Sequence, residues 1–317
     1  MFKFPELQRI TDLSKIQSSL IRSEILSEVK VKGETYPIHG FVIGSQDKTA
    51  PTFGIFGGVH GLEKVGTHVA LHHLESLVNQ LEWDSELQKR FSNCRLVSIP
   101  MINPWGIHHF RRSNSNGVDL MRNAPVEAES KPPFLVGGQR YSNKLPWFRG
   151  ESGNLELESK TLIEFVRNEM FESNFSLSLD IHSGFGTKDR LWYPYAKTTK
   201  DFPLVGETKK FQKLFESAFP NHIYLIEPQA LSYTTHGDLW DYLFDEHYSK
   251  NQNKKTYIPW CLEMGSWMWI KKNPRQLFSM LGAFNPILPH RYKRIMRRHY
   301  VLLDFFLRST ANYKNWS

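Results

Sequence analysis

His60 and Glu63 stand three residues apart in the stretch FGIFGGVHGLEKVG, just past an apolar run that ends in Gly57 and Gly58. An imidazole and a carboxylate at that spacing can supply part of the ligand set of a catalytic metal ion. Such an ion takes three protein groups and leaves a fourth position for water. The spacing alone decides nothing, because His72 and Glu75 share it, and His68 and His72 form a rival pair at helical i,i+4 spacing. Context separates them. His60 and Glu63 follow a strand-like run, and ligands of open α/β sheets bind outside the carboxyl ends of strands. His72 and Glu75 fall inside the next helical pattern. Gly57, Gly58 and Gly61 also allow close backbone approach. One further histidine has the same setting: His182 in SLSLDIHSGFG. On its own it reads equally as a hydrogen-bonded residue of a strand-to-loop turn.

Metal-assisted hydrolysis also needs a carboxylate that takes a proton from the attacking water. The run YIPWCLEMGSW offers Glu263 at the end of an apolar stretch, where a carboxylate is costly to bury without a partner or a task. A salt-bridged strand-end glutamate is the alternative on local grounds. The ends of three strands could thus deliver four groups to one place.

The elements that would position these groups follow from periodicity. Leu13, Ile16, Leu20 and Ile21 recur at helical spacing and predict a helix over 12–28. YPIHGFVIGS, PTFGIFGG, CRLVSIPMI, FSLSLDI, HIYLIE and YIPWCLEM read as strands, and THVALHHLESLVNQL and ELESKTLIEFVRNEM as amphipathic helices. Alternation of this kind predicts an α/β fold: a single-domain α/β/α sandwich with a mixed, mostly parallel central sheet covered by helices on both faces. Residues 1–50 are expected to add an N-terminal helix and extended segments that pack on a catalytic domain of 51–317, the whole forming one structural domain. Residues 124–153, rich in Pro, Gly and Ser, read as a long functional loop.

Of the 317 residues, 40% are hydrophobic and 14% aromatic, which excludes disorder and allows a sizeable core. No apolar run reaches transmembrane length. The start carries no export-type pattern, so a cytoplasmic location is expected. Two cysteines, Cys94 and Cys261, cannot form a disulfide framework or a metal finger, and both lie in apolar runs as expected of buried thiols. The formal charge is +8, and its densest patch is HRYKRIMRRHY, residues 290–300. A solvated helix face accounts for that patch; the sharper reading is attraction to acidic substrates or surfaces. No nucleic-acid-binding signature is present.

Ordered motifs between Phe53 and Glu263 resemble the zinc carboxypeptidases typified by the pancreatic enzymes, here as a divergent, bacterial-type cytosolic member. His60 and Glu63 match the His-x-x-Glu pair, and His182 follows 119 residues after Glu63, a gap similar to the family's. NPWGIHHFRRSNSNGVDLMRN is similar to the segment with Arg112, Asn114, Gly117, Asp119, Leu120 and Arg122 in register. SYTTHGDLWDY resembles the tyrosine loop, and CLEMG the segment with the catalytic glutamate.

The resemblance implies one zinc ion on His60, Glu63 and His182, with Glu263 as general base and Arg112 stabilising the oxyanion. It implies substrate contacts from Arg122, Tyr233, Asn114 and Trp240, the last as a determinant of the side-chain pocket. Arg111 competes with Arg112 but breaks the Arg-x-Asn register. Met121 departs from the family's asparagine and removes a hydrogen-bond donor beside Arg122. The function implied is hydrolysis of a peptide or amide bond near a C-terminal carboxylate. A zinc-dependent deacylase of N-acyl amino acids, similar to aspartoacylase and succinylglutamate desuccinylase, is the alternative. A catalytically inactive binding module of the same fold is a third.

Overall fold

Alternation along FSLSLDIHS sends Leu177, Leu179 and Ile181 into one apolar cluster and leaves Ser178, Asp180 and His182 for the opposite face. The same rule orders the whole chain. The computed structural model describes residues 4–251 and 254–317. Its elements run α1 (Pro5–Ser14), β1 (Ile21–Val31), β2 (Glu34–Gly44), β3 (Thr52–Gly57), α2 (Lys64–Leu81), α3 (Ser85–Phe91), β4 (Arg95–Ile99) and α4 (Pro104–His108). After a long irregular segment come α5 (Leu157–Met170), β5 (Phe175–Ser183), β6 (Arg190–Tyr193), α6 (Val205–Ala218), β7 (Leu225–Pro228), α7 (Leu239–Asn251) and β8 (Thr256–Met264). The chain closes with α8 (Trp267–Lys272), α9 (Met280–Phe284) and α10 (Pro289–Ala311).

The eight strands form one sheet in the order β1-β2-β4-β3-β5-β8-β6-β7. Its centre, β4-β3-β5-β8, is parallel, while β1, β2 and the β6–β8 contact are antiparallel. This is the mixed α/β sandwich expected. One apolar cluster unites Phe53, Leu96 and Leu179 with residues of α2, α6 and α10. The other unites Phe56, Val97 and Tyr257 with residues of α5 and α7. Helices therefore cover both faces.

The order of connections creates the site. From β3 the chain crosses through α2 to β4 on one side, then returns through α5 to β5 on the other side of β3. Because α2 and α5 lie on opposite faces, a crevice opens beyond the carboxyl ends of β3 and β5. Open α/β sheets bind their ligands at such a switch point.

One element differs from expectation. The helix anticipated over 12–28 ends at Ser14, and Ile21–Val31 is a strand. Ile21, Ile25 and Val29 are spaced by four, which fits a helix face, and a register shift between Ile25 and Ser27 breaks the plain alternation of a strand: Ile21 packs on one apolar cluster, Val29 belongs to the other, and Ile25 is exposed. The turn decides between helix and strand. Lys32 and Gly33 have φ of 51° and 84°, the left-handed pair of a tight hairpin that pairs β1 with β2. Through β2 this hairpin is hydrogen-bonded into the central sheet.

Candidate metal centre

Glu63 lies in the turn between β3 and α2, and the first turn of α2 must approach β5 closely for Glu63 to meet His182. Gly66 permits this, since a Cβ there would sit 2.2 Å from the carbonyl oxygen of Ile181. As a result Glu63 Oε1 lies 2.9 Å from His60 Nδ1, and Oε2 lies 3.0 Å from His182 Nδ1. One ligand atom from each of the three residues falls within 4.8 Å of the others, and all three side chains are buried.

The far side of each imidazole fixes its chemistry. His60 Nε2 lies 2.9 Å from Asp119 Oδ1, and His182 Nε2 lies 2.7 Å from Asp180 Oδ2. A carboxylate can only accept, and each imidazole stands between two, so a neutral ring can donate to one side alone: with its proton on Nε2, toward the outer carboxylate, it turns its Nδ1 lone pair inward. Two lone pairs then face the Glu63 carboxylate, an arrangement that needs a cation or extra protons between them. Three inward acceptors of N and O type, each histidine backed by a carboxylate, fit a zinc ion.

The surrounding charges act on these groups in opposite senses. Burial opposes a charged His182, but Asp180 and Glu63 overcome it and hold the imidazolium well above the ordinary histidine range. Burial likewise works against the Glu63 charge, and the two histidines reverse it, keeping the carboxyl well below its usual range. Asp119 is also buried and also held low, by Arg112, His60 and Arg122.

The remaining residues lie around a cleft of about 270 Å³. Glu263 lines it from the end of β8, accepts the Phe185 N–H at 3.0 Å, and is pushed up to about 8 by burial and by the nearby Glu63 charge. Arg112 donates from Nε to Asp119 and from Nη1 to Glu63, at 2.9 and 3.1 Å. Arg122 donates to the Val136 carbonyl and to Asp119, at 2.9 and 3.3 Å. In both arginines Nη2 has no partner among the described residues. Tyr233 lines the cleft too, its ring centroid 5.6 Å from Phe185 and 6.0 Å from Trp192. Burial pushes its phenol up to about 12, so it stays a donor at neutral pH. Met121 forms part of the wall, and the loop 124–153 contributes Val136 and Trp147.

Two residues expected on the substrate side sit elsewhere. Asn114 is buried beside the cleft, its amide donating to Glu156 and Glu158 and its carbonyl oxygen accepting from the N–H groups of Asn116 and Val118. Trp240 lies beneath the metal centre and donates its indole N–H to Asp180 Oδ2 at 2.8 Å. Being the second residue of α7, it points into the core formed with Phe56 rather than into the cleft. Arg111 is exposed, whereas Arg112 lines the cleft. The rival Glu75 is paired with Arg9 at 2.7 Å on the far side of α2.

Asp180 was not anticipated as part of the site, and Asp119 only as a motif position. The signal for Asp180 was available: at a spacing of two it must share the strand face of His182. Cys261, which also lines the cleft, had the same signal relative to Glu263, whereas Asp238 had none.

A family profile described as zinc carboxypeptidase matches residues 24–264. Carboxypeptidase SOL1 of Arabidopsis thaliana is 27% identical over 154 residues, covering 46% of this chain and 27% of that protein. The carboxypeptidase N catalytic chain of Rattus norvegicus is 26% identical over 171 residues, covering 49% of this chain and 35% of its own. The chain thus spans about a third or less of these curated relatives. Among solved structures, a carboxypeptidase A from Helicoverpa armigera superposes with a TM-score of 0.70 at 19% identity, over 96% of this chain and 71% of that one. Bovine thrombin-activatable fibrinolysis inhibitor does so with a TM-score of 0.69 at 15% identity, over 97% and 96%. At these identities the likeness is one of fold.

Proposed function

The chain belongs to the zinc carboxypeptidase family, and from that premise we propose that it hydrolyses a peptide or amide bond next to a C-terminal carboxylate. His60, Glu63 and His182 would hold one zinc ion. When bound, the ion supplies Lewis acidity that acidifies a water and polarises the scissile carbonyl. The observation that carries this reading is the pair of inward Nδ1 atoms, each set by a carboxylate on its Nε2, facing Glu63.

The chain's own residues do the rest. Glu263 accepts a proton from water as its oxygen bonds to the carbonyl carbon, then delivers that proton to the nitrogen as the C–N bond breaks. Arg112 is already oriented by Asp119, and it offers its fixed charge where the carbonyl oxygen turns negative. Arg122, braced by Val136 and Asp119, pairs with the substrate's terminal carboxylate. Tyr233 donates a hydrogen bond across the cleft. Met121 makes the wall beside Arg122 apolar, so carboxylate capture rests on Arg122 and Tyr233. We assign Asn114 and Trp240 to positioning, the first of the loop and the second of Asp180.

The two free thiols, Cys94 and Cys261, support action in a reducing compartment, which we take to be the cytoplasm. No helix among the described residues is long and apolar enough to cross a membrane.

The decisive experiment couples zinc content with substrate choice. Wild-type protein should bind zinc at near one equivalent and His60→Ala should not. Acyl dipeptides with a free C-terminal carboxylate should be cleaved, and their amides poorly. Absence of zinc after incubation with the metal would overturn the site. Equal rates on acid and amide, or turnover of N-acyl amino acids alone, would replace the carboxypeptidase reading with the deacylase one, which Met121 keeps in view.

A further inference from the structure

The charge of this chain is unevenly distributed. Residues 264–303 contain eight Lys and Arg and no Asp or Glu, an excess equal to the formal +8 of the entire chain. The remainder is balanced. Six of these cations, Lys271, Lys272, Arg275, Lys293, Arg294 and Arg297, are exposed and have no ion-pair partner among the described residues. Arg298, by contrast, is tied to Asp189 at 3.2 Å.

The segment forms one ledge. Arg291 Nη1 donates to the Trp269 carbonyl at 2.9 Å, which joins the start of α10 to α8. Gln276 Nε2 donates to the Gly282 carbonyl at 2.8 Å, which joins the turn at 274–278 to α9. The ledge borders the cleft: the Trp267 indole donates to the Gly184 carbonyl, and Phe284 and Gly184 both line the cavity. Among the cations stand large apolar side chains facing solvent. Phe278 is 93% exposed, Leu277 62%, Trp267 58% and Ile287 51%. Scattered exposed apolar residues are ordinary, but four in a 21-residue stretch that also carries three exposed cations and no acidic residue combine both characters on one short segment.

We propose that this ledge is a docking surface for an anionic lipid bilayer. Unpaired cations at a surface gain from a negative leaflet, and bulky apolar side chains gain by entering the boundary between headgroups and acyl chains. Each set of residues needs what the same bilayer offers. A hydrated polyanion such as a nucleic acid would satisfy the cations and could stack on Trp267 or Phe278. It offers nothing to the aliphatic Leu277 and Ile287, which fit acyl chains. Docking through this ledge would hold the neighbouring cleft at the membrane surface, next to peptide ends presented there. The proposal concerns the surface and stands apart from the chemistry assigned to the cleft.

Co-sedimentation of the full chain with vesicles tests it. Vesicles of phosphatidylcholine mixed with phosphatidylglycerol should bind the protein, those of phosphatidylcholine alone should bind it weakly, and raised salt should weaken the former. Lys271→Gln with Lys272→Gln should weaken binding roughly 25-fold, about 5-fold for each charge removed at an anionic surface. Leu277→Ser with Phe278→Ser should weaken it roughly 10-fold, through lost apolar insertion. Both variants should keep the wild-type melting temperature and zinc content. No binding to the anionic vesicles at low salt overturns the proposal. So does binding indifferent to the Leu277 and Phe278 changes. Tighter binding to a single-stranded oligonucleotide than to the vesicles overturns it in favour of a polyanion.

Discussion

His182 and Glu263 lie directly opposite each other in the parallel pair of β5 and β8. Their side chains share one face of the sheet, so adjacent strands carry the proposed metal ligand and the proposed base into one cleft. This makes the two roles separable. Glu263→Gln keeps the shape of the side chain and touches none of the inward ligand atoms, so zinc content should be unchanged. Turnover of an acyl dipeptide should fall roughly 100- to 10,000-fold, the usual worth of a positioned base. The variant should also be at least as stable as wild type, because burial and Glu63 make the native carboxylate costly. Full activity would show that another group takes the proton.

The histidines are set from behind. Asp180 accepts from both His182 and Trp240, at 2.7 and 2.8 Å, and so fixes the ring that presents Nδ1 to the cavity. Asp180→Asn should weaken zinc binding roughly 10- to 100-fold, as for other carboxylates behind a ligating histidine. Competition with a chromophoric chelator would measure it. Trp240→Phe should produce a smaller loss in the same direction and leave the preference among substrate side chains unaltered. A changed preference with intact zinc affinity would return Trp240 to the substrate pocket.

Arg122 reaches the cleft with two of its nitrogens already occupied, one on Val136 and one on Asp119. Its remaining task is expressed in the contrast between a free carboxylate and its amide. Arg122→Ala should raise KM for the free acid, with a loss in kcat/KM of roughly 10- to 150-fold, the worth of a charge-assisted hydrogen bond. The rate on the amide should change little. An equal loss on both substrates would mean that Arg122 acts by holding Asp119, and through it His60.

Much of this was legible in the sequence because strand ends and chemistry coincide. His60, Glu63, His182 and Glu263 could be selected from spacing and from their place after apolar runs, and the central sheet follows from the same runs. What escaped was information carried by packing between distant segments. Trp240 and Asn114 occupy motif positions that suit substrate contact, yet their partners, Asp180 and Glu158, are 60 and 44 residues away in the chain. No local pattern encodes such pairings. The β1 hairpin escapes for a different reason: the bulge between Ile25 and Ser27 breaks the alternation that marks a strand and leaves a helix-like spacing, and the left-handed turn at Lys32 and Gly33 is the signal against it.

Acid stability should report on how the N-terminal helix is fastened. Glu6 of α1 accepts from Lys64 and His68 of α2, both at 3.1 Å, while almost fully buried. Burial opposes its charge, but the bond to His68 and the Lys64 ammonium prevail and lower the carboxyl from 4.5 to about 2. A carboxyl lowered in the folded state binds its proton more readily when unfolded, so it stabilises the fold above pH 4.5. That contribution is lost as the pH falls from 4.5 towards 2. The shift corresponds to at most roughly 3 to 4 kcal/mol. Glu6→Gln should therefore lower the melting temperature at pH 7 and make less difference at pH 3, so the wild-type and variant curves converge in acid. Because Lys64 follows Glu63 directly, the variant should also loosen the first turn of α2 and weaken zinc binding at neutral pH. Parallel melting curves at all pH values would show that Glu6 contributes packing and no charge.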